Sequence, residues 1–287
     1  MFEYDQLQVR LPTVKVPSNA LSALGDSAQL RQMIEHYFAT VHSYFPVVSK
    51  IRLYQHLANP LHEPGADIAL LFLAMKLVCS SIPEGMPAQT QQYQDAKSLY
   101  QYVEAQNGFS VQAIQAGLLI GLFEIGHSIW PAAYLTVGNI ARLGYASGLH
   151  DFKAPQMLPR CMTWTEQEER RRLWWGILVL DRFVHLGSRG KPFATTDPGL
   201  DVHLPTDDGS WDRGEMLVAA PLSLSASPTV GVSPFARVCQ SAHLLGKVMR
   251  HIDDKSMSLE YRMTEALQLH RTMSAFADVL SNRKSDQ

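Results

Sequence analysis

Apolar residues recur every three or four positions along most of this chain. From Ser27 onward, the apolar positions of the first such run are Leu30, Met33, Tyr37 and Val41. This spacing predicts an amphipathic helix that ends before Phe45. Strand-like alternation of polar and apolar residues with hairpin turns occurs nowhere over a useful length. The sequence therefore predicts an all-α fold.

Capping residues support further helices. Ser110 stands at a predicted N-cap, Pro131 in a predicted first turn, and Gly148 at a predicted C-terminal stop. The segment 66–81 is apolar on almost every side, which predicts a helix enclosed by others. The predicted helical spans after the first are 49–57, 66–81, 88–107, 110–127, 131–147, 166–182, 234–252 and 259–280.

The stretch TEQEERRRLWWGILVLDR places three arginines before two tryptophans. Thr165 and Glu168 match a capping box, which predicts that the helix begins at Glu166 with three glutamates in its first turn. Pairs at i,i+3 and i,i+4 are then expected: Glu166–Arg170, Glu168–Arg171, Glu168–Arg172 and Glu169–Arg172. Because a phosphate-binding patch needs unpaired arginines, these pairs favour a structural role.

Beyond the arginines the same helix is apolar on every side, which predicts a central core helix. Trp174 and Trp175 point about 100° apart, so two different neighbours must cover them. Asp181 and Arg182 end the apolar run. Since burying a single charge is costly, each is predicted to pair with another charge or with loop backbone.

The chain divides by composition into four parts. Residues 1–26 form a predicted N-terminal extension, 27–218 a helical core, 219–233 a low-complexity linker, and 234–287 C-terminal helices that continue the domain. Within the core, an irregular segment rich in Gly, Pro and Asp follows the Arg-Trp helix. In the helix after the linker, one stripe is predicted to face inward: Ala236, Cys239, Gln240, His243, Leu244 and Val248.

Composition narrows the function classes. The 287 residues carry a formal net charge of -2, which gives no overall attraction to nucleic acid. The longest apolar runs have eight residues, far below the ~20 that span a bilayer, so no membrane partner is expected. Three widely spaced cysteines without a C-x-x-C pair exclude a zinc cluster within these residues.

Catalytic and metal motifs are weak. The loop from Gly187 to Pro192 resembles half of a phosphate-binding loop, but it follows a helix and has Pro192 where Ser or Thr should stand. Asp253-Asp254 lacks the third carboxylate of a diphosphate-binding cyclase. No two of the eleven histidines form an i,i+4 pair with a third ligand nearby. No catalytic, cofactor or metal residue is therefore assigned, and the protein is not expected to be an enzyme.

Four motifs in order resemble the fungal-specific transcription factor domain, the middle homology region of fungal zinc binuclear cluster regulators. They are YFATVHSYFPVV at 37–48, IARLGYASGLH at 140–150, EERRRLWWGILVLDR at 168–182 and GKPFATTDPGLDVHLP at 190–205. The resemblance covers residues 28–250, with Lys191 where that family usually has arginine. Its structural motif matches this sequence at Glu169, Arg171, Arg172, Trp174, Trp175, Asp181, Arg182, Gly190, Pro192, Asp197, Leu204 and Pro205.

The resemblance implies an all-helical regulatory domain, a nuclear location, and control of metabolic or secondary-metabolite biosynthetic genes. Its partners would be the transcription machinery or a related regulator, with a small-molecule effector between helices. Members of that family bind DNA and zinc through six closely spaced cysteines upstream, which these residues do not contain. DNA contact would then come from another module or a partner. Two alternatives stay open: a helical biosynthetic enzyme of the cyclase or isomerase kind, and a DNA-independent modulator that pairs with a full-length regulator.

Overall fold

The computed structural model describes residues 14–58, 65–154, 157–186, 190–216, 221–227 and 230–283. Over these residues the chain forms eleven α-helices and no strand, so the all-α prediction is confirmed. The helices are α1 Ser18–Leu24, α2 Ser27–Ala39, α3 Lys50–Ala58, α4 Ala66–Val78, α5 Gln91–Ala105, α6 Val111–Gly126, α7 Ala132–Ala146, α8 Trp164–Val184, α9 Asp208–Asp212, α10 Pro234–Asp253 and α11 Leu259–Arg283.

The core is built around α4 and α6, which pack against each other. Both helices are buried on nearly every side, as their apolar sequences require, because α4 also contacts α1, α2 and α5 while α6 contacts α5, α7 and α8. Two glycines permit close approaches between helices. A Cβ atom on Gly117 would lie 2.6 Å from Ile140, and one on Gly176 of α8 would lie 2.8 Å from Leu118. The helix predicted at 66–81 is therefore enclosed, as expected, but it ends at Val78.

Several helix ends follow the sequence signals. The Ser110 hydroxyl accepts a hydrogen bond from the Ala113 N–H at 3.1 Å, as an N-cap should. After α7, Gly148 adopts φ +69°, and the Gly148 and Leu149 N–H groups return to the carbonyls of Tyr145 and Gly144. This double return satisfies the last carbonyls of the helix and explains why glycine is needed there.

Three elements differ from the sequence-based prediction. Helix α2 ends at Ala39 rather than just before Phe45, because the Thr40 hydroxyl donates to the His36 carbonyl and a 3-10 turn at Val41–Ser43 follows. Helices α1 and α9 were not predicted. Each has seven residues or fewer, too few to display a helical period, and contacts with the rest of the domain hold them in place.

The start of α8 was also predicted wrongly. The Thr163 hydroxyl, not that of Thr165, accepts the capping hydrogen bond, from the Glu166 N–H at 3.2 Å, and the helix begins at Trp164. Consequently only Glu166 lies in the first turn, where its carboxylate accepts from the Met162 N–H. Glu168 does not serve a capping box, because its carboxylate is buried among arginines one turn further on.

These two threonines offer a direct test of the helix start. Thr163→Ala is expected to lower the free energy of unfolding by about 1 kcal/mol, because it removes the capping acceptor. Thr165→Ala is the matched control, and it is expected to change the free energy by less than about 0.5 kcal/mol. Urea unfolding followed by circular dichroism measures both. A larger loss for Thr165→Ala than for Thr163→Ala would mean that Thr165 is the capping residue.

The segment after α8, residues 190–216 and 221–227, is called the returning segment because it packs back against α8. The backbones of residues 202–204 and 222–224 pair in antiparallel fashion, with the Leu204 N–H donating to Leu222 O and the Leu224 N–H to Val202 O, both at 2.8 Å. Leu222 and Leu224 belong to the predicted linker at 219–233, and Leu224 is buried in the core. This pairing had no signal in the sequence, because a single bridge shows no strand period.

The last two helices differ in burial. Helix α10 packs against α8 and buries Ala236, Cys239, Gln240 and His243 of the predicted stripe, while Leu244 and Val248 are half-buried. Helix α11 packs against α10 but has no buried residue over its described side chains. Its exposed apolar side chains are Leu259, Tyr261, Met263, Leu267, Met273 and Leu280.

Candidate functional site

Glu168 and Arg172 of α8 form a fully buried ion pair at the centre of the domain. Arg172 Nε donates to Glu168 at 3.0 Å, and its two terminal nitrogens donate to Asp208 at 2.7 Å and to the Thr206 carbonyl at 2.8 Å. The guanidinium also lies 4.2 Å from the ring centre of Trp211. The arrangement joins α8 to α9, and because Arg172 is fully buried its guanidinium is not open to phosphate from solvent.

Other ion pairs on α8 follow the sequence only in part. Arg170 pairs with Glu166 at 2.9 Å, and Arg171 pairs with Glu168, as predicted. The predicted pair between Glu169 and Arg172 does not form. Arg172 bonds to Asp208 of α9, whereas Glu169 bonds to other helices.

Glu169 links α8 to two other helices instead. Its carboxylate accepts from the Ser49 N–H at 2.8 Å and from the Gln115 amide at 2.9 Å, and it pairs with Arg52. Gln115 also donates to the Val47 carbonyl at 2.9 Å. These partners lie 54 to 120 residues away along the chain, so no local pattern could have identified them.

The two tryptophans contact different neighbours, as predicted. Trp174 meets Tyr145 edge to face at 5.0 Å between ring centres and also contacts His150. Trp175 points to the returning segment, where its indole N–H donates to the His203 carbonyl at 3.0 Å. Both are buried.

Asp181 and Arg182 are fully buried at the far end of α8, and both are paired, which confirms the prediction. Asp181 accepts from Arg182 at 2.7 Å, from the Thr195 N–H at 2.9 Å and from the Thr195 hydroxyl at 2.6 Å. Arg182 also donates to Asp197 at 3.1 Å, and Asp197 pairs in turn with Arg250 of α10. The sequence predicted that partners exist but not which residues they are.

The remaining residues of the sequence motif lie along the segment after α8. Gly190 adopts φ +75°, and its N–H donates to Asp253 at 3.3 Å. The Pro192 carbonyl lies 3.0 Å from His185 Nε2. Leu204 and Pro205 are buried beside the antiparallel pairing. The motif residues therefore surround both ends of α8, and residues 187–189 of the phosphate-loop candidate lie outside the described part of the chain.

The described residues contain no group of three His, Cys, Asp or Glu side chains placed to hold a metal ion. Burial raises the pKa of all three thiols, Cys79, Cys161 and Cys239, which keeps them protonated. None of the described helices has the length and apolar character of a membrane span.

A cavity of about 560 Å³ opens between α10, α11 and the returning segment. Its apolar wall is formed by Leu200, Leu224, Leu244, Leu269 and Phe276. Its polar side includes His243 and Lys247, which stand one turn apart on α10. Its size falls in the range of small-molecule sites.

His243 is the unusual member of this cavity. Its side chain is only 8% exposed, yet neither ring nitrogen has a hydrogen-bond partner among the described residues. Burial, followed by the nearby charges of Lys247 and Arg182, lowers the pKa of His243 to about 4. The ring is therefore neutral at physiological pH and presents one N–H donor and one acceptor.

Comparisons with known proteins point to one family. The model of the fungal specific transcription factor domain matches residues 34–284. Transcription factor BOA15 of Botryotinia fuckeliana is 39% identical over 136 residues, which cover 47% of this chain and 76% of that protein. Transcription factor tazR of Aspergillus terreus is 26% identical over 181 residues, covering 62% of this chain and 28% of that protein.

A third similar protein is the pigment biosynthesis transcriptional activator pigB of Monascus ruber, 23% identical over 227 residues, or 75% of this chain and 41% of that protein. The chain thus spans less than half the length of two of these three relatives. No solved structure matches. Because the family model covers most of the 287 residues, this chain belongs to the family of the fungal specific transcription factor domain.

Proposed function

We propose that this chain is the regulatory domain of a nuclear transcription regulator that controls genes of a secondary-metabolite pathway. The family match over residues 34–284 is the observation that carries the proposal. The Monascus relative is named as a pigment biosynthesis activator, which supports the assignment to a secondary-metabolite pathway. The chain is proposed to regulate rather than catalyse, because the buried charges of α8 all bond to other parts of the domain.

The proposed partners are proteins. Helix α11 carries apolar side chains that the domain leaves exposed, including Leu259 at 71% and Met263 at 66%. Such a surface favours a protein contact over a nucleic-acid contact, and the formal charge of -2 points the same way. DNA would be reached through a separate zinc cluster or through a full-length regulator that pairs with this domain. The motif residues around α8 are proposed to hold the domain in shape.

The proposal is tested at the level of transcripts in the native fungus. Deleting the gene is expected to change, several-fold, the transcripts of a co-located group of biosynthetic genes, and restoring the gene should reverse the change. A strain with Asp201→Asn, a change of an exposed side chain, is the matched control and should behave as wild type. Unaltered transcripts throughout the deletion strain would refute the proposal. Chromatin immunoprecipitation of the tagged chain then reports whether it reaches promoters.

A further inference from the structure

We propose that the cavity between α10 and α11 binds a small monocarboxylic acid with an apolar body, whose carboxylate lies between His243 and Lys247. The proposal deepens the regulatory function proposed above. Its test measures binding to purified protein, however, so a failure of this proposal is distinguishable from a failure of the proposed function, which is tested on transcripts.

The first support is the unsatisfied histidine. A buried polar group without a partner is costly, and proteins retain such groups mainly where they serve a function. His243 is more than nine-tenths buried, lines the cavity and offers an N–H with nothing to accept it among the described residues. A ligand oxygen would supply the missing acceptor.

The second support is the charge around that histidine. The carboxylates that line the cavity have partners: Asp197 has Arg182 and Arg250, Glu265 has His251 at 2.6 Å, and Asp254 accepts from the N–H and hydroxyl of Ser256.

Lys247, in contrast, makes no ion pair with any described residue. The charges that act most strongly on His243 are Lys247 and Arg182, both cationic. Because Lys247 places its positive charge one turn from the histidine, this part of the cavity favours an anionic oxygen. Residues four apart on a helix lie about 5–6 Å from each other at Cβ, which allows one carboxylate to contact both side chains.

The third support is the remaining wall. Four leucines and Phe276 line the same cavity as His243 and Lys247, and its volume of about 560 Å³ is larger than an inorganic ion alone would fill. Sites of this size usually bury most of a small organic ligand and orient it with a few polar groups. The acid would therefore place its apolar body against the leucines and its carboxylate on α10.

The test measures binding by isothermal titration calorimetry on the purified full chain. The probes are 2-naphthoate, a planar aromatic acid, and decanoate, a flexible aliphatic acid, each with its methyl ester as the uncharged control. At least one acid is expected to bind, and to bind roughly tenfold more tightly than its ester, about the effect of a single charge-assisted contact. The acid that binds more tightly shows whether the cavity prefers an aromatic or an aliphatic body.

Two variants locate the site. Lys247→Met and His243→Leu are each expected to weaken binding of the acid roughly tenfold and to leave binding of the ester unchanged. Lys255→Met, at an exposed lysine outside the cavity lining, is the matched control and should bind as wild type.

Thermal unfolding checks that each variant is folded. If His243→Leu does not fold, Lys247→Met alone decides the test, because Lys247 is exposed and its replacement should leave the fold intact. The proposal is overturned if neither acid binds, if acid and ester bind equally, or if Lys247→Met binds the acid as wild type does.

Discussion

Replacing Asp181 by asparagine is expected to lower the free energy of unfolding by about 3–5 kcal/mol, the cost of leaving a buried charge without its partner. Asparagine has nearly the same shape, but one carboxylate oxygen becomes an amide donor. That donor would face Thr195 and Arg182, which are themselves donors at this position. Arg182 would then remain fully buried, with the partly exposed Asp197 as its one remaining anionic partner among the described residues.

Urea unfolding of the purified chain measures this loss, with Asp201→Asn as the matched control. Asp201 lies in the same segment but is exposed, so its change should stay within about 0.5 kcal/mol. Because natural domains are stable by about 5–15 kcal/mol, a loss of this size is a large share of the total and should clearly lower the urea midpoint. Equal effects of the two variants would mean that the Asp181 pairing contributes nothing to stability.

Arg172→Lys is expected to lower the free energy of unfolding by about 2–3 kcal/mol although the charge is kept. The guanidinium binds three acceptors in one plane, namely Glu168, Asp208 and the Thr206 carbonyl, and it also stacks on Trp211. An ammonium group is a compact charge without that fork. It cannot reach all three acceptors, so at least one of these charge-assisted hydrogen bonds is lost.

The neighbouring arginine supplies the control for this prediction. Arg171 is partly exposed and pairs with Glu168 from the outer side. Arg171→Lys should therefore cost less than about 1 kcal/mol, as is typical of ion pairs near the surface. Chemical unfolding of both variants gives the comparison. If Arg172→Lys is no more destabilising than Arg171→Lys, charge alone and not the planar geometry accounts for the role of Arg172.

The helix start at α8 illustrates where local signals are ambiguous. Thr163 with Glu166 and Thr165 with Glu168 match the same capping pattern, and nothing in the sequence ranks one above the other. The choice depends on Glu168, which is withdrawn from capping because Arg172 and the Thr206 N–H bind it in the core. A tertiary contact thus shifted the helix start by two residues.

Glu169 shows the same limit for ion pairs. Helical spacing made Arg172 a suitable partner, but the rule describes neighbours on one helix and ignores other helices. Ser49, Arg52 and Gln115 reach Glu169 from elsewhere in the domain. For a buried carboxylate, several converging donors outweigh one local pair, because each donor left unpaired would add its own desolvation cost.

The sequence by itself determined the features that depend on near neighbours along the chain: the all-α class, the enclosed helix α4, the central position of α8 and the need for partners at Asp181 and Arg182. The four motifs in their order also indicated the family. Only the tertiary structure decided which residues those partners are, and only it placed an unpartnered His243 beside Lys247 and the leucines of the returning segment. The physical reason is that a helix sets spacing within one turn or two, whereas a cavity depends on how separate helices pack.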